Sequence, residues 1–332
     1  MRNLAVDKPN LFIDSGLGGL TTLFQTQALL PNEDFIYCAD FKNSPYGNKT
    51  LKQIQNIVLH TLKHFYAKFK PKSVVFACNT ATATTIQEVR KRYPSLVVVG
   101  AEPAIKPAIK SDAKKILVLC TKITLNQSNL VKLFRIHKKD ILDFCVLPEL
   151  ATLIDNNYSS NPQLIHKYLV EKLATYKGKV EGVVLGCTHY IIVGENIKHI
   201  LGNVKLFDGN MGIANRLKQC LDMLDLLKDS YQNDQTFYTQ VGKNMKSEKV
   251  GKNLNSVGDK FLQKAEQNDQ TFYTQKSPAE KRNSIFLTDV GENVKYESVG
   301  QVKLISTDQY KQSLLLQNYQ HLLERRKELC VV

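Results

Sequence analysis

The sequence predicts an α/β fold built on parallel sheets, and three observations predict it. Short apolar, β-branched runs recur along the chain, each followed by a turn of small residues and then by a stretch with helical spacing. Two of these runs end alike: Ser73-Val74-Val75-Phe76-Ala77-Cys78-Asn79-Thr80 and Gly182-Val183-Val184-Leu185-Gly186-Cys187-Thr188-His189 each deliver a cysteine and then small polar residues. The chemistry-bearing residues, Asp14, the Tyr46 turn and both cysteines, all fall at the carboxyl ends of predicted strands, where open parallel sheets bind ligands.

Taken in order, Leu11-Phe12-Ile13 is a short strand that delivers Asp14 and Ser15 into Gly16-Leu17-Gly18-Gly19, ahead of a helix over 20–30. The glycines let the backbone turn tightly beside a ligand. Their spacing meets neither G-x-G-x-x-G nor G-x-x-x-x-G-K-[ST], and a carboxylate, a hydroxyl and several amides suit an amino acid better than a phosphate. Residues 35–39 form the next strand, followed by Asp40 and the turn Asn43-Ser44-Pro45-Tyr46-Gly47. From 51 to 69, Ile54, Ile57, Val58, Leu62 and Phe65 recur at helical spacing, which puts His60 and His64 on an outer face; Pro71 closes that helix.

After the Cys78 strand, a helix is predicted over 82–92 and strands over 96–100, 116–119 and 141–146. A helix runs from Thr121 through 134, and a short amphipathic piece over 150–158 carries Asp155. A helix over 164–175 feeds the Cys187 strand, and a last strand over 204–207 delivers Asp208-Gly209.

A length of 332 residues and a 43% apolar fraction support two domains with sizeable cores. The excess of fourteen basic over acidic residues is spread along the chain, as solvated helix faces are, rather than gathered into a nucleic-acid motif. Seven cysteines without a C-x-x-C pair argue against a disulfide framework and a zinc site and fit a reducing cytoplasm. No apolar run reaches the ~18 residues of a membrane span, and residues 1–10 lack the apolar core of a signal peptide. No metal is expected.

Beyond about residue 227 the composition turns to Lys, Asn, Gln and Ser. Gln232-Asn233-Asp234-Gln235-Thr236-Phe237-Tyr238-Thr239-Gln240 recurs letter for letter at 267–275, the mark of an internal duplication. Loose order is expected over 245–282, with a strand near 285–287 and a terminal helix over 314–329.

Each motif cysteine sits where a strand ends and a helix begins. Unpaired N–H groups there favour an anion and lower a thiol's pKa, so two such thiols could face one another across a cleft. The structural alternative is that both cysteines are small buried hydrophobes and that the neighbouring Ser, Thr and Asn cap helices.

Four motifs in one order, Asp14-Ser15-Gly16-Leu17-Gly18-Gly19, Pro45-Tyr46-Gly47, Ala77-Cys78-Asn79-Thr80-Ala81 and Gly186-Cys187-Thr188-His189-Tyr190, carry a resemblance. Over roughly residues 10–228 the chain resembles the glutamate racemases of the aspartate/glutamate racemase superfamily. The resemblance implies two parallel-sheet α/β domains related by pseudo-two-fold symmetry, with the active site in the interdomain cleft. The first comprises 1–97 with 208–228 and part of the tail, the second 98–207, and 229–332 is an extended, partly duplicated basic C-terminal region.

It also implies cofactor-independent interconversion of L- and D-glutamate, which supplies D-glutamate for peptidoglycan. Inverting an α-carbon requires a base on one face and an acid on the other, and the pair exchanges roles in the reverse direction. By resemblance Cys78 acts on the D-enantiomer and Cys187 on the L-enantiomer. Asp14 is the expected proton acceptor near Cys78 and His189 near Cys187, while Asp155 falls where similar enzymes carry a carboxylate, usually Glu. Substrate is expected to be held by Asp14, Ser15, Pro45, Tyr46, Gly47, Asn79, Thr80, Thr188 and His189, with only Tyr46 and Gly47 donating amides in the proline turn. Glutamate and a second copy of the chain, as a homodimer, are the expected partners.

Departures from the pattern are Ser44, Cys120 before Thr121, a longer stretch over 124–128, and the tail, where 236–241 and 256–267 look like broken versions of a closing strand and helix. Two alternatives stay open: aspartate or a related acid as substrate, and a racemase body whose basic tail binds nucleic acid.

Overall fold

Asn10–Asp14, strand β1, is buried at every position, as an apolar run flanked on both sides by strands must be. The structure is a computed structural model and describes residues 5–125, 141–228, 287–288, 297–299, 302–308 and 311–325. After β1 come helix α1 (Gly19–Leu29), β2 (Phe35–Ala39), two 3₁₀ turns (Phe41–Asn43 and Tyr46–Asn48), α2 (Leu51–Phe69), β3 (Ser73–Phe76), α3 (Asn79–Arg92), β4 (Val97–Gly100) and α4 (Ile105–Ile109). Then follow β5 (Ile116–Cys120), α5 (Lys122–Leu125), β6 (Leu142–Val146), α6 (Leu150–Asn157), α7 (Pro162–Leu173), β7 (Gly182–Leu185), α8 (Thr188–Ile192), α9 (Gly194–Leu201), β8 (Lys205–Phe207) and α10 (Asn210–Met223). The closing elements are β9 (Leu287–Thr288), β10 (Glu297–Val299), β11 (Val302–Ser306) and α11 (Gln312–Glu324).

Among the described residues two sheets result, both within one compact unit. The first runs β10-β11-β2-β1-β3-β4, with β9 also beside β11; the second runs β6-β5-β7-β8. All pairings among the described residues are parallel except β10 with β11. The fold class is thus α/β with two parallel sheets, and an antiparallel edge is the one departure from a wholly parallel pattern.

Because side chains alternate across a strand, each sheet serves two cores. Phe12, Tyr37, Val75, Val99 and Leu304 of the first sheet join Leu117, Leu119, Val183 and Leu185 of the second in one continuous apolar cluster that also holds α1, α10 and α11. On the far face of the first sheet Leu11, Ile13, Val74 and Phe76 meet Ile54, Val58, Leu62 and Phe65 of α2. Ile116, Val118 and Val184 meet α4 on the far face of the second. Helix α2 opens with a reciprocal cap between Thr50 and Gln53, and ends at Lys70 in a left-handed conformation (φ 44°) just before Pro71.

At the amino ends of β1 and β3, Lys72 Nζ lies 2.6 Å from Glu33 Oε2, and the two side chains are 1% and 2% exposed. The ammonium also donates to the carbonyls of Val6 and Leu226, while Glu33 accepts from Asn10 Nδ2 and from Lys228 N. This buried knot ties the chain's start and residues 226–228 to the base of the first sheet.

Several boundaries differ from the sequence expectation. Helix α3 begins at Asn79 rather than 82, which puts Asn79 and Thr80 inside its first turn. The terminal helix is described from Gln312 to Glu324, and the strand expected at 285–287 is Leu287–Thr288. A strand and helix close the first sheet, but at 302–324; the stretches 236–241 and 256–267, the nonapeptide repeat and 126–134 lie outside the described residues. His60 is exposed and His64 half-buried, its ring edge-on to Phe65 at 5.6 Å. Among the described residues no helix is long and apolar enough to cross a membrane.

Candidate active site

The carboxyl ends of β1, β3 and β7 bring Asp14, Cys78 and Cys187 to one place. Cys78 and Cys187 hold equivalent positions, each the residue just before a helix and each in extended backbone, at the heads of α3 and α8. They are 7% and 9% exposed and pack in different apolar clusters, but the residues beside them meet: Asn79 Nδ2 donates to Gly186 O at 2.8 Å.

On the Cys78 side, Ser15 Oγ donates to the sulfur across 3.8 Å. Asp14 is wholly buried; its Oδ2 accepts from Gly16 N at 3.1 Å and its Oδ1 from Thr188 Oγ1 at 3.4 Å. Burial pushes the Asp14 carboxyl above the ordinary range, opposed by the charge of His189 and the Gly16 amide and reinforced by Asp155. The Cys78 thiol is pushed up to about 12, by burial first and by the Asp14 charge second. The expectation that a helix N-terminus lowers this thiol is therefore overturned: the Ala81 amide and the Ser15 hydroxyl pull it down, but loss of water outweighs them.

The Cys187 side is built differently. His189 Nδ1 lies 3.8 Å from Cys187 Sγ, and His189 Nε2 lies 2.9 Å from Asp155 Oδ1. Burial pulls the imidazole down, but the charge and hydrogen bond of Asp155, together with Cys187, lift it well above its ordinary value. In the imidazolium form Nε2–H points to the carboxylate and Nδ1–H to the sulfur. Asp155 thus joins the cluster through the histidine that lies beside Cys187. It also accepts from Leu17 N at 2.9 Å and from Ser44 Oγ at 3.4 Å.

Two glycines of the first motif owe their identity to this packing. A Cβ on Gly16 would stand 2.3 Å from Asp155 Oδ2, and one on Gly18 would stand 2.4 Å from His189 N. Both distances lie inside van der Waals contact, so only glycine lets the 14–19 turn close on Asp155 and α8.

The small polar residues do not cap helices, contrary to the structural alternative raised for them. Neither Cys78 nor Cys187 receives a side-chain cap, and Asn79 and Thr188 lie one residue inside their helices. Partners from the opposite sheet are in reach instead: Asn79 Nδ2 donates to Gly186 O at 2.8 Å, Thr188 Oγ1 to Asp14, and Thr80 Oγ1 lies 3.3 Å from Thr121 Oγ1, which in turn pairs with Thr124. In the proline turn the Ser44–Pro45 bond is cis, Tyr46 is buried with its hydroxyl 2.5 Å from Asp40 Oδ2, and Gly47 borders open space. The Tyr46 phenol is thus committed to Asp40, and any contact of this turn with a ligand is left to its backbone. Tyr190, which closes the second motif, is an anchor whose hydroxyl donates to Leu147 O at 2.8 Å.

Sequence reasoning placed Asp40 in the turn without a role and gave Thr307 none. An acid three residues before Asn43 and six before Tyr46 is a legible local signal, since Asn43 Nδ2 bonds both Asp40 oxygens. Thr307, 267 positions from Asp40, carries no such signal. Among the described residues no group of three His, Cys, Asp or Glu side chains is arranged to hold a metal ion.

Residues 24–216 match the family described as Asp/Glu/Hydantoin racemase. A glutamate racemase of Clostridium botulinum (strain 657 / Type Ba4) is 35% identical over 227 residues, covering 67% of this chain and 87% of the relative. Among solved structures, a glutamate racemase of Bacillus anthracis superposes with a TM-score of 0.59 at 29% identity, over 67% of this chain and 84% of that one. The glutamate racemase of Francisella tularensis, solved with D-glutamate, gives 0.57 at 27% identity, over 69% and 86%.

Proposed function

The chain belongs to the Asp/Glu/Hydantoin racemase family, whose chemistry is racemisation, and from that premise we propose that it interconverts L- and D-glutamate by proton transfer between Cys78 and Cys187. The observation that carries the proposal is the pairing of two cysteines at equivalent strand ends, each with its own titratable partner. Support for glutamate comes from relatives described as glutamate racemases and from the donors placed beside the two cysteines.

In the L-to-D direction the Cys187 thiolate takes the α-proton while the Cys78 thiol delivers its proton to the opposite face. The electron pair left on the α-carbon passes into the adjacent carboxylate and returns to the carbon as the new C–H bond forms. Cys187 ends as thiol and Cys78 as thiolate, and the reverse reaction restores them. His189, charged and held by Asp155, sits beside the sulfur that must carry negative charge first. Asp14, next to Cys78, takes or returns that thiol's proton between turnovers. Ser15, Asn79, Thr80, Thr188 and the Tyr46 and Gly47 amides hold the substrate's carboxylates and ammonium and offset charge as it develops, an effect commonly worth ~3–4 kcal/mol of barrier per donor. D-Glutamate made in this way serves peptidoglycan assembly in the cytoplasm, which is where a chain with this cysteine usage is expected to work.

Incubation with L-glutamate in deuterated water tests the proposal. Optical rotation should decay to zero with deuterium at the α-carbon, and L-aspartate under the same conditions should turn over far more slowly. Full retention of rotation at high enzyme concentration removes the reading. Cys78→Ser and Cys187→Ser should each lower turnover by about 10²–10⁴.

A further inference from the structure

We propose that Thr307, in the segment that follows β11, is a positioning residue for the substrate-binding turn 44–47, acting through the buried carboxylate of Asp40. The proposal rests on the glutamate chemistry above and concerns a residue beyond the 24–216 span matched by the family. Thr307 is 6% exposed and fastens the exit of β2 at three points. Its amide donates to Ala39 O at 3.0 Å, its hydroxyl donates to Asp40 Oδ1 at 2.6 Å, and the same hydroxyl accepts from Lys42 N at 3.0 Å. Asp40 Oδ2 in turn accepts from Tyr46 OH at 2.5 Å. Asp40 itself is wholly buried, so each of these bonds to a carboxylate out of water is short and strong.

The turn is thereby held at both ends. Tyr46 is tied through Asp40 to Thr307, and Ser44 is tied to Asp155. Lys311, just beyond Thr307, reinforces the arrangement, with its ammonium 5.4 Å above the Phe41 ring and 3.1 Å from Asn156 Oδ1 beside Asp155. A C-terminal strand thus fixes a loop that is 267 positions earlier in the chain and that offers only backbone to the substrate. Losing the Thr307 hydroxyl takes from Asp40 Oδ1 the shorter of its two hydrogen bonds, leaving the one from Asn43 Nδ2 at 2.9 Å, and frees the turn to sample geometries in which its amides miss the substrate. Binding suffers first, because neither thiol hydrogen-bonds to Thr307, Asp40 or Tyr46.

Three variants decide the matter: Thr307→Val, which removes the hydroxyl at constant shape, Thr307→Ser, which keeps it, and Tyr46→Phe, which cuts the chain one link later. Thr307→Val should raise KM for both enantiomers about tenfold, with kcat within about twofold, while Thr307→Ser stays near the parent. Tyr46→Phe should raise KM similarly, and the double variant should be no worse than either single one, since both act through one carboxylate. An unchanged KM in Thr307→Val, a fall in kcat at constant KM, or additive effects in the double variant would overturn the proposal. A parent protein without glutamate racemisation would sink the substrate reading alone. The ¹⁹F spectrum of 3-fluorotyrosine at position 46 then decides: a resonance shifted or broadened by Thr307→Val but not by Thr307→Ser supports the link, and an unmoved one refutes it.

Discussion

Asp155 Oδ1 and His189 Nε2 stand 2.9 Å apart, although one lies in the last turn of α6 and the other in the first turn of α8, with α7 and β7 between them in the chain. The side chains are 3% and 2% exposed, so the hydrogen bond works at low dielectric, where it holds the imidazole's charge beside Cys187. The same carboxylate reaches the 14–19 turn and Ser44, which makes it the point where both halves of the site are fastened.

Asp155→Asn should therefore discharge His189. Burial is the largest influence on the imidazole, and without the carboxylate it acts unopposed, so an NMR titration should find the His189 pKa below about 6.5 instead of well above it. Because L- and D-glutamate have equal free energy in solution, kcat/KM must fall by the same factor in both directions, here roughly a hundredfold. The stability linkage has a definite sign. A histidine whose folded pKa is raised adds stability that is fully present below about pH 6.5 and is lost as pH rises through the folded value. The stability gap between parent and variant should accordingly be widest near pH 6 and narrow in alkali.

Asp14→Asn should trade in the other direction. A carboxyl whose folded pKa lies above 3.8 supports the fold fully below that pH and loses this support as pH rises through its folded value. A neutral amide escapes that loss, so urea unfolding at pH 7 should show a gain of about 0.5–2 kcal/mol that disappears near pH 3. Turnover should drop by about 10²-fold in the same variant. Removing the second-largest influence that holds Cys78 up should also speed alkylation of Cys78 by iodoacetamide at pH 8, followed by mass spectrometry; a slower reaction contradicts the geometry.

Glu33→Ala tests the knot at the base of the first sheet. Burial pulls the Lys72 ammonium down, and Glu33 is the principal influence that opposes it. Leaving that ammonium buried without its partner should cost about 3–5 kcal/mol, read as a fall of the denaturant midpoint at unchanged slope. Glu33→Gln, which keeps the hydrogen-bond acceptor for Lys228 N, should lie between the two.

The strands over 74–76 and 183–185 were legible because an apolar β-branched run is a local property: four residues suffice to specify a buried strand, and each hands its cysteine to the turn that follows. The 45–47 turn and the glycines of 14–19 were legible for the same reason. Whether Asn79 and Thr188 cap their helices was open in the sequence because a short polar side chain can serve its own helix or a neighbour, and the neighbour, Gly186 O or Asp14, exists only once two sheets have met. The direction of the Cys78 pKa was likewise beyond sequence. A helix N-terminus can be read from residues 78–82, whereas the water withdrawn from the thiol depends on everything packed around it.

What the sequence determined by itself is therefore the set of strand ends and the identities of the groups they carry: two thiols, a carboxylate and a histidine at sites dictated by short-range pattern. Tertiary structure alone decided which of these groups meet, that Asp155 closes on His189 and Thr307 on Asp40, and which way burial drives each proton. The physical reason is range. Hydrophobic periodicity acts over a few residues, but desolvation and hydrogen bonding between residues 34 and 267 positions apart depend on distances that only the folded chain sets.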